Sequence, residues 1–176
     1  MFEIRKAEVS DAERLLEIYD YYVRNTAITF EYDTPSLEEF QARISKTLKR
    51  YPYLVIFRDG KIEGYAYAGP FKERRAFDWS CEVTVYLDHH AHKCGMGRML
   101  YAALEKELKK IGIINLYACI AWPEAEDEHL TTNSADFHAH LGYKTVGEFK
   151  KCGYKFNRWY SMIWMEKIIG EHENVM

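Results

Sequence analysis

The chain has 176 residues, with Lys+Arg 24 against Asp+Glu 27 and a formal charge of -3, so it lacks the basic excess that a nucleic-acid partner calls for. An apolar share of 48% beside 29% charged residues can bury a sizeable core and excludes intrinsic disorder; the length fits one domain, 1–176. The longest uncharged run, Ile111 to Pro123, is shorter than the roughly 20 apolar residues of a membrane span. Met1 to Lys6 mixes acids and bases where a signal peptide needs an apolar stretch, so the expected location is cytoplasmic and no membrane partner is expected. Cys81, Cys94, Cys119 and Cys152 are widely spaced without a Cys-x-x-Cys pair, which predicts reduced thiols and no metal site.

Taken in chain order, Ser10-Asp11-Ala12-Glu13 has capping-box spacing. It predicts a helix whose buried face carries Leu15, Ile18, Tyr19, Tyr22 and Val23. Ser36 with Glu39 repeats the signal, with Leu37, Phe40, Ile44 and Leu48 expected on the buried face. From Tyr53 the pattern turns to β-formers: Leu54 to Phe57, a turn at Asp59-Gly60, and Ile62 to Ala68 read as a hairpin. A strand from Cys81 to Leu87 leads through a loop with Gly95 and Gly97 into a helix bearing Met99, Leu100, Ala103, Leu104 and Leu108, stopped by Gly112. Ile113 to Ala121 reads as a buried strand, Asn133 to His140 as a short helix, and Tyr143 to Phe149 and Trp159 to Met165 as final strands. The acidic stretch Glu124-Ala125-Glu126-Asp127-Glu128 reads as a solvated connector. The order is mixed α/β.

The loop Gly95-Met96-Gly97 lacks the third glycine of a dinucleotide fingerprint and the Gly-Lys-Ser/Thr ending of an NTP loop. What remains is a run of amides opening a helix, with Lys93 and Arg98 beside it, suited to the pyrophosphate of a nucleotide-bearing cofactor.

With the strand before it, the run His92-Lys93-Cys94-Gly95-Met96-Gly97 resembles the pyrophosphate loop of the GNAT superfamily of N-acetyltransferases, with His92 where the family has Gln or Arg. Tyr65-Ala66-Tyr67-Ala68-Gly69-Pro70-Phe71-Lys72, Arg74, Ala76-Phe77-Asp78-Trp79, Glu82-Val83-Thr84-Val85-Tyr86, His138 with Leu141-Gly142-Tyr143, and Gly153-Tyr154-Lys155-Phe156 with Trp159 narrow the resemblance to the phosphinothricin acetyltransferase group. The resemblance implies a mostly antiparallel central sheet flanked by helices, acetyl-CoA as co-substrate, a small-molecule amine acceptor of the phosphinothricin or methionine sulfoximine type, and a homodimer.

The resemblance also assigns residues. A protonated amine cannot attack a thioester, so a base must deprotonate it; Glu82 holds the family's position for that role, its alternative being a solvent-facing or ion-paired strand residue. The resemblance gives backbone amides of Val85, Tyr86 and Leu87 to the cofactor and the developing oxyanion, and Lys93, Cys94, Gly95, Met96, Gly97 and Arg98 to the pyrophosphate. His138 stands at the position that serves the departing thiolate, as acid, as stabiliser or as a histidine that orients the site. Lys72, Arg74, Val83 and Thr84 match acceptor-binding positions, while Phe30 and Trp79 are candidates for its walls or for plain packing. The group's pantetheine-contacting asparagine falls at Thr131 by count and at Asn133 by residue type, and the choice stays open. The acidic stretch introduces a second possibility, a polyamine or protein N-terminus as acceptor; a non-catalytic acyl-CoA sensor is the alternative outside enzymes.

Overall fold

Asp59 and Gly60 both adopt positive φ, 51° and 84°, the backbone pair that turns one strand back on its neighbour with the right twist. They join β2 (Tyr53–Arg58) to β3 (Lys61–Pro70), as the spacing predicts. The computed structural model describes residues 1–91 and 94–173. Around this hairpin stand β1 (Phe2–Lys6), α1 (Ala12–Asn25), α2 (Leu37–Leu48), β4 (Ser80–Leu87), α3 (Met96–Lys110), β5 (Asn115–Trp122), α4 (Asn133–His140), β6 (Lys144–Lys155) and β7 (Arg158–Ile168). The strands form one seven-stranded sheet in the order β1-β2-β3-β4-β5-β7-β6. Its neighbours are antiparallel except β4 and β5, which run parallel.

Strand alternation divides the core between the two faces. Leu54, Ile56, Ala66, Cys81 and Val83 pack against Leu100, Leu104 and Leu108 of α3, whereas Tyr53, Val55 and Tyr65 pack against Leu15, Ile18, Val23, Phe40 and Ile44 of α1 and α2. Ser36 caps α2 as expected, its hydroxyl accepting the Glu39 N–H at 3.1 Å.

Several expectations are corrected. Ser10 does not cap α1: it lies in a 3-10 turn, Val9–Asp11, and the Glu8 N–H donates to the Asp11 carboxylate at 2.8 Å. Arg5 explains the shift, because its guanidinium grips both Asp11 oxygens at 2.8 and 2.7 Å and fixes that residue at the helix start. Leu37 and Met99 point to solvent, because the buried stripe of α2 runs through Phe40 and Ile44 and that of α3 through Met96, Leu100, Tyr101, Leu104 and Leu108. β1 has no counterpart in the sequence reading, since its alternation is masked by Glu3, Arg5 and Lys6. β6 and β7 are longer than expected: β6 carries many exposed polar residues and two breaks in register, and the Phe156-Asn157 turn takes positive φ without a glycine.

One buried cation ties the two ends of the chain together. Lys155 at the end of β6 is 5% exposed, and its ammonium donates to the carbonyls of Val23, Thr26 and Thr29 at 2.7, 2.9 and 2.9 Å. All three donors are used, which offsets desolvation and closes the C-terminal end of α1. Lys155→Met leaves these carbonyls without a donor and is expected to cost about 2 to 4 kcal/mol. Urea unfolding checks this, and unchanged stability would contradict the assignment.

Candidate active site

β4 and β5 pair at only three positions, Ser80 with Asn115, Cys81 with Leu116 and Glu82 with Tyr117. Both strands continue, β4 held by β3 as far as Leu87 and β5 held by β7 as far as Trp122, but no longer by each other. The gap between them is a narrow channel of about 60 Å³, lined by Val83 to Tyr86 on one side and Ala118 to Ala121 on the other, with Tyr101 and His138 from the helices. A groove of about 1000 Å³ runs along the start of α3 and reaches Leu87, Cys94 to Arg98, Thr131, Asn133 and Phe137. Tyr101 lines both spaces.

The groove is built for an anion. Gly95 takes φ 78°, a conformation that side chains resist, and turns the chain into α3. The first backbone bond of the helix runs from the Met99 N–H to the Gly95 carbonyl at 3.1 Å, so the amides of Met96, Gly97 and Arg98 find no partner within the helix. Gly97 allows close packing, since a Cβ there would stand 3.0 Å from the Phe137 ring. Arg98 is exposed beside the groove, and α3 carries no acid in its first turn. Met96 is fully buried and offers only its backbone. Lys93 lies outside the described residues. Thr131 and Asn133 both line the groove.

His138 is buried between α3 and the sheet. Its Nδ1 lies 2.7 Å from the Ser134 carbonyl, which can only accept, so the proton resides on Nδ1. The neutral ring then offers Nε2 as acceptor to the Tyr101 hydroxyl at 3.0 Å. Burial lowers the His138 pKa, with the Ser134 bond opposing it, and burial pushes the Tyr101 phenol well up.

Glu82 stands on the opposite face of β4 from Val83 and Val85. Burial raises its pKa, and Lys72 pulls the other way. Lys72 rests over the Phe71 ring at 5.0 Å, and that ring stacks on Tyr117 at 4.2 Å between centroids. Cys119, a channel residue, feels the charges of both Glu82 and Lys72 and is pushed up to about 12 by burial.

The structure thus brings Val83, Thr84, Val85, Tyr86 and His138 to the channel and Leu87, Cys94, Gly95, Met96, Gly97, Arg98 and Asn133 to the groove, with Lys72 beside Glu82. It does not bring the rest. Arg74 is exposed at the start of the 3-10 segment Arg75–Phe77, Phe30 packs on Gly153 and the cluster of Ala27, Ala121, Leu130 and Tyr160, and Trp79 lies toward Ile113 and Ile114. The acidic stretch is more than a solvated connector. Arg158 pairs with Asp127 and Glu128 at 2.8 and 3.1 Å, Lys151 with Glu124 at 3.4 Å, and Glu126 accepts from Thr132. Tyr101 was absent from the expected residues, although its spacing from Gly97, Leu104 and Leu108 places it on the buried stripe of α3. Cys119 and Ile28 carry no sequence signal that marks them as channel residues.

A parallel strand pair splits above a helix whose first amides are free to bind the phosphates of a nucleotide. The chain belongs to the acetyltransferase (GNAT) domain family, whose model matches residues 4–164, and it is an N-acetyltransferase. It is similar to a phosphinothricin N-acetyltransferase of Streptomyces viridochromogenes, 32% identical over 91% of this chain and 84% of that one. It is also similar to an L-methionine sulfoximine/L-methionine sulfone acetyltransferase of Salmonella typhimurium, 29% identical over 96% and 95%. Among solved structures, a phosphinothricin acetyltransferase of Sinorhizobium meliloti in complex with acetyl-CoA superposes with a TM-score of 0.87 at 30% identity, covering 96% of this chain and 89% of that one.

Nitrogen-15 NMR tests the histidine geometry. His138 is expected to keep the Nδ1-protonated neutral form at pH 6.5, the ordinary midpoint for histidine. A cationic ring, or a proton on Nε2, would contradict it.

Proposed function

We propose that the chain transfers the acetyl group of acetyl-CoA to the primary amine of a small amino-acid-like acceptor, of the phosphinothricin or methionine sulfoximine/sulfone type. The observation that carries this reading is the split of β4 from β5, with the glycine groove on one side and a half-buried glutamate on the other. When bound, acetyl-CoA supplies the activated acetyl group; its pyrophosphate fits the amides of Met96, Gly97 and Arg98 with the Arg98 side chain alongside.

Glu82 accepts a proton from the acceptor's ammonium and leaves a nucleophilic amine. Its raised pKa suits that task, because a carboxylate closer to neutrality is a better base. Lys72, close to Glu82, offers a cation to an acceptor carboxylate, and the ring face of Phe71, Tyr117 and Trp164 supports the acceptor's apolar part. Those amides of Val85 to Leu87 that lie on the strand edge β5 abandons, alternate ones along β4, face developing negative charge. The Tyr101 hydroxyl, held at rest by His138 Nε2, turns its one proton to the leaving thiolate, and the phenolate so formed takes back the proton that the acceptor nitrogen must lose as the tetrahedral intermediate collapses. Exposed Val146, Phe149 and Trp159 on β6 and β7 support the homodimer expectation.

The acidic stretch gives little support to a cationic acceptor, because Arg158 and Lys151 neutralise much of it. A panel of phosphinothricin, methionine sulfone, a polyamine and an N-terminal peptide, read by thiol release, tests the acceptor class. Turnover with the first two is expected; binding of acetyl-CoA without turnover on any amine would indicate a sensor.

Glu82→Gln is expected to lower kcat/KM by about 100-fold or more with acetyl-CoA affinity retained. In the unsubstituted enzyme kcat/KM rises with pH through a midpoint above the ordinary carboxylate value, since only the ionised base works. Equal turnover in both proteins across pH would contradict the role. Tyr101→Phe is expected to lower kcat about 10-fold or more with little change in KM for acetyl-CoA; steady-state kinetics checks it, and an unchanged kcat would remove the tyrosine from the chemistry.

A further inference from the structure

The turn that follows β4 places a carboxylate and two imidazoles within reach of one another. Asp88, His89 and His90 each offer a donor atom, and the three atoms lie within 4.8 Å of one another. Asp88 is 5% exposed, and its carboxylate is anchored rather than free. One oxygen is held by the Arg14 guanidinium of α1, and Oδ1 accepts the His90 N–H at 2.9 Å.

The imidazoles are held as well. The His89 ring lies flat on Tyr21, with centroids 3.9 Å apart and planes 2° apart, and its Nδ1 is 3.8 Å from Asp88 Oδ1. The His90 ring sits 3.7 Å from that of His89. The backbone beneath them is tied down. The Asp88 N–H donates to the Glu63 carbonyl at 2.7 Å, the Ala91 N–H to the Asp88 carbonyl at 2.8 Å, and the Tyr22 hydroxyl to the Leu87 carbonyl at 2.6 Å.

We propose that Asp88, His89 and His90 form a binding site for one divalent first-row transition cation. Imidazole nitrogen with carboxylate oxygen suits ions such as nickel, copper and zinc. With metal–nitrogen bonds of about 2.0 to 2.1 Å, adjacent donors in the shell stand roughly 3 to 3.5 Å apart. The 3.8 Å between Nδ1 and Oδ1 closes to that value by small side-chain rotations. Arg14 orients the carboxylate from behind, as outer partners do in metal sites, and water completes the shell. The same arginine brings a positive charge, only partly offset by its pairing with Glu17 at 3.0 Å, and Lys61 adds a more distant one. These charges weaken the affinity for a cation. None of the three residues belongs to the channel or the groove.

Titration calorimetry with Ni²⁺ on the untagged protein at pH 7.5 tests the site. Nickel is the probe because the free Cys119 and Cys152 thiols favour zinc. One ion per chain is expected. His89→Gln with His90→Gln should weaken binding about 10-fold or more, while Cys119→Ser with Cys152→Ser leaves it intact. If the histidine variant fails to fold, paramagnetic broadening by Ni²⁺ in the unsubstituted protein decides. Selective loss of the His89 and His90 ring signals supports the site, and broadening centred on His129, His140 or His172 overturns it. Absence of binding, or binding indifferent to the histidine substitutions, also overturns it.

Discussion

The parting of β4 and β5 is the constraint on which the rest of the structure depends. Each strand meets its backbone needs along its outer edge, β4 on β3 and β5 on β7, over nearly its whole length. The inner edges are satisfied only at Ser80 to Glu82 and Asn115 to Tyr117. Beyond that point the channel contains Tyr101 and His138 from the helices together with Ile28 and Leu130 from the loops. Unpaired amides inside a protein demand a partner, and a ligand threading between the strands is one that the sheet itself cannot supply. The bare helix N-terminus at Gly95 to Arg98 lies along the groove that meets this opening at Tyr101, so the two surfaces are continuous, as the proposed elongated cofactor requires.

The electrostatics of the molecule are local and largely compensated. The charge of -3 averages over paired groups: Asp11 with Arg5, Asp88 with Arg14, Glu31 with Arg43, and the acidic stretch with Arg158 and Lys151. Glu82 and His138 are exceptions. Among the described residues neither makes an ion pair by the usual distance criterion, and burial pushes each away from its charged form. A neutral imidazole and a more basic carboxylate near the parting of the strands are what the proposed proton transfers would use.

Much of this was legible in the sequence, for physical reasons that can be named. Asp59-Gly60 can hardly do anything but turn, Ser36 with Glu39 closes a helix start locally, and the glycine loop between an apolar strand and an apolar-striped helix carries its own context. The misses are long-range. Arg5 moves the start of α1 away from Ser10, and no local pattern shows that pairing. Tyr101 is an ordinary core position of a helix until His138, 37 residues away, lies beside it. The resemblance placed Arg74 at the acceptor pocket, and in the free protein its side chain is exposed; Phe30, read as pocket wall or as packing, lies against Gly153. The charge count of the acidic stretch likewise concealed that Arg158 and Lys151 answer it across the fold.

Amide hydrogen exchange, followed residue by residue with and without acetyl-CoA, tests the role of the strand gap most directly. The amides of β4 between Val83 and Leu87 that face the gap are expected to exchange readily in the free protein and to slow about 10-fold or more when acetyl-CoA binds. Those of β5 that face β7 should be unchanged. Protection confined to the start of α3, with the inner edge of β4 exchanging as before, would contradict the account.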